Sequence, residues 1–253
     1  MRAHLIAVSI GNTSVQVGLT SESSWPPNWS GRLDMSTGTC RPEQLAKLLP
    51  ADPVCWYVSS VHRASEFKLA AWVRQTRRAD HYQLLTHDQL PLQIHVDQAW
   101  AVGMDRLVAA VAVNRLRSND RPSVVVDAGT AITVDLLSAD GAFLGGSIFP
   151  GIEMASRALA NDTDLLPQVA IDFAEKPSVV GKSTESAILS GLLWGAVGAI
   201  RELVTRMSIE IGQPPQLFVT GGDAKQLAAH LGSEYQFVPE LVLNGIVAAT
   251  AQK

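Results

Sequence analysis

The sequence is poor in cysteine, in charged residues and in positive charge. Its two cysteines, Cys40 and Cys55, are too few for a disulfide framework and lack the spacing of a metal-binding pair, which favours a reducing cytoplasm. Charged residues make up 17% of the 253 positions and the formal net charge is -4, so no basic surface can attract a nucleic-acid backbone. We therefore expect a cytoplasmic protein with no nucleic-acid partner.

Long hydrophobic runs are also missing. The longest apolar region, residues 187–200, is shorter than a membrane span and contains Ser190 and three glycines. The first 19 residues do not have the organisation of a secretory signal, because polar residues such as Ser9 and Asn12 interrupt their apolar positions. These features predict a protein that is not associated with a membrane.

Two similar stretches stand out among the remaining residues. Residues 5–19 (LIAVSIGNTSVQVGL) and 124–135 (VVVDAGTAITVD) each read as an apolar strand, a glycine-centred turn and an outgoing strand. The two stretches align when Gly11 is placed on Gly129. The repeat predicts an α/β chain built from two related halves.

The halves differ at the position just before the turn. In this alignment Asp127 of the second stretch falls on Ser9 of the first. A polar stretch, residues 115–122, separates the two regions and marks a domain boundary. We therefore divide the chain into an N-terminal domain, 1–118, and a C-terminal domain, 119–253.

Glycine turns of this kind have two interpretations. Their backbone N–H groups and hydroxyls can surround a phosphate without obstruction by side chains, and a carboxylate just before the turn can hold a cation against that phosphate. A single copy is more often an ordinary hairpin turn. Two copies favour phosphate binding, with Asp127 as the cation ligand.

Several further elements are predicted from periodicity and turn residues. Gly191, Gly195 and Gly198 leave one face of a long helix without side chains, which fits either a dimer contact or tight internal packing. Asp105 lies in the first turn of a helix, where it is either a cap or a reactive carboxylate. The predicted helices are 66–77, 103–116, 152–160 and 181–207; the strands include 54–60, 91–96 and 217–222; and 145–151 is predicted as a turn.

Six short motifs occur in an order and spacing that are together highly specific. They are Gly11-Asn12-Thr13, Gly103-Met104-Asp105-Arg106, Asp127-Ala128-Gly129-Thr130-Ala131, GGSIFPG at 145–151, Gly181-Lys182-Ser183-Thr184 and Thr220-Gly221-Gly222. Through these motifs the chain resembles the type III pantothenate kinases, members of the actin, sugar-kinase and heat-shock-chaperone superfamily, over nearly its whole length. The resemblance implies two duplicated ribonuclease H-like domains, each a mixed sheet flanked by helices, with a cleft between them.

The resemblance also implies an activity and its cofactors. It implies phosphorylation of pantothenate to 4'-phosphopantothenate, the first step of coenzyme A biosynthesis, by a cytoplasmic homodimer. The cofactors it implies are ATP, Mg²⁺ or another divalent cation, and K⁺ or NH₄⁺.

Site residues are implied position by position. Asp105 is the general base; Gly103, Met104, Arg106 and Thr184 bind pantothenate with it, Thr184 across the dimer interface; and Asp127 is the cation ligand. The residues implied to bind ATP are Ser9, Ile10, Gly11, Asn12, Thr13, Ser14, Val15, Gln16, Thr130, Gly221 and Gly222.

The chain departs from the family at two positions. The first phosphate motif of the family begins with aspartate, where this chain has Ser9, whose hydroxyl carries no negative charge. Val96 stands where the family often has a tyrosine in the substrate pocket. These departures leave a second hypothesis open: a catalytically impaired relative that acts as a ligand-binding or regulatory protein.

Overall fold

A computed structural model describes residues 4–21, 25–172 and 177–250 of the protein. The chain falls into two units, one made of the residues up to Leu116 and those from Glu240 onward, the other of Arg117–Pro239. The first boundary follows Leu116, close to the predicted limit at residue 118. The C-terminal segment differs from the prediction, because it belongs to the first unit.

Strands and helices alternate in both units. The strands, in chain order, are β1 (His4–Ile10), β2 (Ser14–Thr20), β3 (Gly31–Ser36), β4 (Val54–Ser60), β5 (His81–Leu84), β6 (Ser123–Ala128), β7 (Ala131–Leu137), β8 (Phe143–Pro150), β9 (Gln216–Thr220) and β10 (Tyr235–Phe237). The α-helices are α1 (Arg63–Thr76), α2 (Met104–Leu116), α3 (Ile152–Asn161), α4 (Thr184–Ile211), α5 (Ala224–Leu231) and α6 (Leu241–Thr250).

The two sheets have the same topology. The first has the strand order β3-β2-β1-β4-β5, and the second has the order β8-β7-β6-β9-β10. In each sheet the first three strands are antiparallel and the last three are parallel. The duplication predicted from the two hairpins therefore extends to the whole sheet, and each unit has the mixed sheet flanked by helices that the resemblance implies.

Each unit has its own hydrophobic core. In the first, alternate residues of β1 and β4 pack with α1, including Val8, Trp56 and Leu69, all 5% exposed or less. In the second, Val124 and Val126 of β6 pack with Leu193 and Ile200 of α4. Fully burying such a side chain stabilises a fold by about 1.5–3 kcal/mol, so the central strands β1 and β6 are firmly placed.

Helix α6 is buried on nearly all sides within the first unit. Nine of its ten residues are buried, and Gly245 lies against the backbone of α2. A Cβ atom at Gly245 would lie 2.5 Å from the carbonyl carbon of Val108. Only glycine permits this approach, which fastens the C-terminal segment to α2.

Two sequence predictions are wrong. Residues 91–96 form no strand of the first sheet, whose fifth strand is β5. Residues 145–150 are not a turn, because they form most of β8, with alternating exposure. The prediction failed because it took these glycines as turn residues, whereas close packing requires Gly146 in a strand. A Cβ added there would lie 2.8 Å from Cα of Asp135 on β7.

Helix α4 is longer than the apolar region seen in the sequence. It has 28 residues and a mean hydropathy of 1.5 in its most apolar window, and it is the one helix of the described residues long and apolar enough to cross a membrane. One face, with Leu193, Val197 and Ile200, is buried in the second core. The core helix of a soluble protein meets the same criterion, so this feature is weak support for a membrane span.

Candidate functional site

The first glycine turn closes the hairpin between β1 and β2. The Gly11 N–H donates to the carbonyl of Ser14 at 2.8 Å. Thr37, just after β3, holds the turn from outside: its hydroxyl donates to the Gly11 carbonyl at 2.8 Å and its N–H donates to the Thr13 carbonyl at 2.9 Å. The sequence reasoning missed Thr37, since no motif marks it and only the pairing of β2 with β3 brings it there.

The second glycine turn is shorter and is packed more tightly. The Gly129 N–H donates to the carbonyl of Ala131, and the Gly151 N–H donates to that of Thr130, both at 3.1 Å. A Cβ at Gly151 would lie 2.6 Å from the Thr130 carbonyl oxygen. Gly151, at the end of the GGSIFPG motif, thus serves as the support of this turn.

Ser9 and Asp127 occupy equivalent places in the two sheets. Ser9 pairs with Gln16 on the antiparallel neighbour and with Ser59 on the parallel one. Asp127 likewise pairs with Thr133 on β7 and Thr220 on β9. The alignment of Asp127 with Ser9 is therefore one of structure as well as sequence.

Gly221 lies against the carboxylate of Asp127. Its backbone has φ +105°, and an added Cβ would lie 2.5 Å from Oδ1 of Asp127. The Thr220-Gly221-Gly222 motif thus meets the second glycine turn at the carboxyl edge of the second sheet. Gly222 has open space around it, with no atom of the described residues within 4 Å of an added Cβ.

Asp223 is a site candidate that the sequence reasoning missed. Its N–H donates to the Ala128 carbonyl at 2.9 Å, which places it beside the second glycine turn. Burial raises the pKa of its carboxyl, and the negative charge of Glu153 at the start of α3 raises it further. The signal available in the sequence was its place directly after the double glycine.

Asp105 lies in the first turn of α2, as predicted. Its Oδ1 accepts the N–H of Arg106 at 2.9 Å, and a Cβ at Gly103 would lie 2.5 Å from Oδ1 and 3.6 Å from a methyl carbon of Val61. Burial raises the pKa of the Asp105 carboxyl, although the hydrogen bond and charge of Arg106 lower it in part. Val61 directly follows β4, so Asp105 lies at the carboxyl edge of the first sheet.

Thr184 is the first residue of α4, behind the N-cap Ser183, which accepts the N–H of Ser186. It lines an open, mainly apolar groove of about 860 Å³ between α3 and α4, together with Gly191. No atom of the described residues lies within 4 Å of a Cβ added at Gly191, Gly195 or Gly198. Tight internal packing therefore does not account for the glycine face.

The two units differ in how well they fit a cation. In the second, the carboxylate of Asp127 precedes the turn, and Mg²⁺ is usually held by one or two carboxylates together with phosphate oxygens. Among the described residues no three His, Cys, Asp or Glu side chains are grouped to hold a metal alone, so the phosphate oxygens would be needed as ligands. In the first, Ser9 takes the place of the carboxylate, so this position offers a divalent cation no negative charge.

The comparison with known proteins decides the family. The sequence profile of the type III pantothenate kinases matches residues 5–206. The chain belongs to the type III pantothenate kinase family. The type III pantothenate kinase of Caulobacter vibrioides is 31% identical over 96% of this chain and 95% of its own length. Type III pantothenate kinase 1 of Symbiobacterium thermophilum is 35% identical over 96% of this chain and 94% of its own length.

Solved structures share the fold at low identity. A Campylobacter jejuni protein assigned to the Baf family of transcriptional activators has a TM-score of 0.63 at 19% identity, covering 95% of this chain and 94% of that one. A Sinorhizobium meliloti protein assigned as a 2-dehydro-3-deoxygalactonokinase has a TM-score of 0.60 at 13% identity, covering 97% and 98%. These likenesses support the actin and sugar-kinase type of fold predicted from the motifs.

Proposed function

We propose that this type III pantothenate kinase catalyses the ATP-dependent phosphorylation of pantothenate to 4'-phosphopantothenate, the first step of coenzyme A biosynthesis. The observation that carries the proposal, beside family membership, is the placement of Asp105. Its partly desolvated carboxyl lies at the carboxyl edge of the first sheet, the edge that also carries the first glycine turn. A base and a phosphate-binding turn at one edge are what phosphoryl transfer to a hydroxyl requires.

The roles of the site residues follow from their chemistry. Asp105 accepts the proton of the pantothenate hydroxyl, and burial strengthens it as a base because it raises the pKa. Arg106 binds the carboxylate of the substrate, to which its planar guanidinium is suited. Gly103 and Met104 complete this contact, while residues 9–16, Thr130, Gly221 and Gly222 bind ATP.

Asp127 would hold the cation, a divalent ion or K⁺ or NH₄⁺, against the phosphates. Such a cation, when bound, neutralises charge on the transferred phosphoryl group. Gly221 supports this role because its missing side chain leaves room for the carboxylate.

A homodimer completes the proposal. The groove between α3 and α4 is apolar and open, and the glycine face of α4 beside it would let a helix of a second copy approach closely. Thr184 in that groove would then contact pantothenate bound by the second copy. Native mass measurement tests the dimer, and Gly195→Ala should weaken it. The two free cysteines support a cytoplasmic location.

The activity is tested with purified protein, ATP, Mg²⁺, K⁺ and pantothenate. Asp105→Asn should lower kcat/KM at least about 100-fold, since general base catalysis contributes roughly 10²–10⁴. Asp120→Asn, which removes an exposed carboxylate in the loop before β6, is the matched control and should behave as wild type. Full activity of Asp105→Asn would discard the base assignment.

Ser9 favours a second candidate function, an impaired relative that binds ligand or regulates without turnover. The missing carboxylate removes a charge that could anchor a cation. An inactive wild type with an active Ser9→Asp variant would support this candidate. Rapid turnover by the wild type would reject it.

A further inference from the structure

The carboxyl edge of the first sheet carries two neighbouring serines. Ser9 on β1 and Ser59 on β4 are register partners in parallel strands, so their side chains leave the same face of the sheet. Ser9 is 8% exposed, whereas Ser59 is 1% exposed. Ser9 is thus the member of the pair with some accessible surface, and Ser59 lies fully buried beside it.

Ser59 has a buried hydroxyl oxygen without a hydrogen-bond partner among the described residues. Buried polar groups are nearly always paired, so an unpaired one calls for an explanation. Neighbouring strands lie about 4.7–4.9 Å apart, and rotation about χ1 can bring one hydroxyl within hydrogen-bond distance of the other. When the Ser59 hydroxyl donates a hydrogen bond to the Ser9 oxygen, the Ser9 hydroxyl can donate its own hydrogen bond to a ligand.

The charge at this edge differs from that of the second unit. Asp127, the structural equivalent of Ser9, repels phosphate unless a cation lies between them. A serine hydroxyl is neutral and donates a hydrogen bond to a phosphate oxygen without a mediating ion. Asp105 also lies at the carboxyl edge of the first sheet, where its carboxyl accepts the N–H of Arg106.

We propose that Ser9 donates a hydrogen bond directly to a phosphate oxygen of the nucleotide and that Ser59 is the positioning residue that orients it. The first glycine turn therefore binds phosphate without a divalent cation. This inference rests on the proposed function, because it concerns the same nucleotide site. It distinguishes the two halves: a hydroxyl contact in the first unit and a cation-assisted contact in the second.

The experiment measures binding of the non-hydrolysable β,γ-imido analogue of ATP by calorimetry, in excess Mg²⁺ and in EDTA. Wild type should still bind in EDTA, but more weakly than in Mg²⁺, because Asp127 then faces the phosphates without a cation. Ser9→Ala and Ser59→Ala should each lose about 10-fold in EDTA, the effect of one hydrogen bond to a charged group. Ser59→Thr, which keeps a hydroxyl, should restore binding, and Ser9→Asp should bind well only with Mg²⁺.

Ser123→Ala is the matched control. Ser123 is likewise buried on a central strand with an unpaired hydroxyl in the described structure, but it lies at the amino end of β6, away from the turns. Its substitution should leave analogue binding unchanged. Thermal unfolding of every variant verifies folding.

The outcomes distinguish a failure of this inference from a failure of the proposed kinase function. Binding in EDTA by Ser9→Ala equal to that of wild type, or loss of all wild-type binding in EDTA, would overturn the hydroxyl contact and leave the kinase proposal standing. Equal losses in Ser59→Ala and Ser59→Thr would remove the positioning role. A folded wild type that binds no analogue in either condition would overturn both proposals.

Discussion

Replacing Gly245 by alanine should disturb both the stability of the first unit and the position of Asp105, the proposed base. The added Cβ would lie 2.5 Å from the carbonyl carbon of Val108. Carbon atoms in van der Waals contact are about 3.5–4.0 Å apart, so α6 and α2 must separate by roughly 1 Å or more. The atoms that collide belong to the backbone of α2 and cannot rotate away.

The magnitude follows from two opposing effects. Overpacking of a close contact costs about 1–3 kcal/mol, whereas alanine in place of glycine in a helix stabilises by about 1 kcal/mol. The rigid backbone contact places the cost at the upper end, so the net loss is about 1–2 kcal/mol. For a domain of this size that loss lowers Tm by roughly 2–8 °C.

The displacement should also reduce activity. Asp105 precedes Val108 by less than one helical turn, and a misplacement of about 1 Å at a catalytic group can cost roughly 100-fold in rate. Thermal unfolding and kcat are measured for Gly245→Ala and for Gly38→Ala, where the nearest neighbouring atom is 4.0 Å from the added carbon. Unchanged Tm in Gly245→Ala would refute the close approach of α6 to α2. Lower Tm with unchanged kcat would refute only the link to Asp105.

Three further predictions concern the base, the second turn and a buried ion pair. Because the pKa of Asp105 is raised and the base must be ionised, kcat/KM should fall on acidification with a midpoint above the ordinary aspartate value; a midpoint at or below that value contradicts the assignment. Gly221→Ala should weaken nucleotide binding at least about 10-fold in calorimetry, since its Cβ displaces the carboxylate of Asp127. Asp80→Ala should lower the free energy of unfolding, measured in urea, by about 3–5 kcal/mol, because its 2%-exposed carboxylate pairs with the guanidinium of Arg77 and accepts the indole N–H of Trp56. The control Glu202→Ala, which breaks an exposed ion pair, should change it by less than about 0.5 kcal/mol.

The raised pKa of Asp105 also has a consequence for stability. A folded-state pKa above the unfolded value means that the folded protein binds the proton more tightly, so this group stabilises the fold at low pH. That contribution is lost as the pH rises through the folded-state pKa. Asp105→Asn keeps an oxygen for the Arg106 N–H and removes the buried charge, so its Tm at neutral pH should exceed that of wild type.

The hairpins and the motifs could be predicted from the sequence because their signals are local. Strand β4 was predicted with its observed bounds, and the first turn of α2 was placed within one residue, since alternation and glycine punctuation are read from neighbouring residues. The equivalence of Ser9 and Asp127 needed only an alignment of two glycines.

What the sequence could not reveal depends on contacts between distant segments. Thr37 supports the first turn only because β3 pairs with β2, and Asp223 reaches the second turn only because β9 lies beside β6. The glycines of β8 were predicted as turn residues because the close approach of β7, which requires Gly146, cannot be read from neighbouring residues in the sequence. The packing position of α6 likewise depends on its contact with the backbone of α2, which is distant in the sequence.

The proposed base, Asp105, has no acidic counterpart in the first turn of α6. By chain order α2 follows β5 as α6 follows β10, so the two helices are equivalent in the duplication. Helix α2 has Asp105 and Arg106 in its first turn at the edge of its own sheet, whereas α6 has no charged residue and packs against α2. The helix in the place where the duplication would put a second base is therefore part of the first unit. In the proposed mechanism one half takes the proton and the other, through Asp127, holds the cation. Leu243 is fully buried in α6, so Leu243→Asp should unfold the first unit and create no new site.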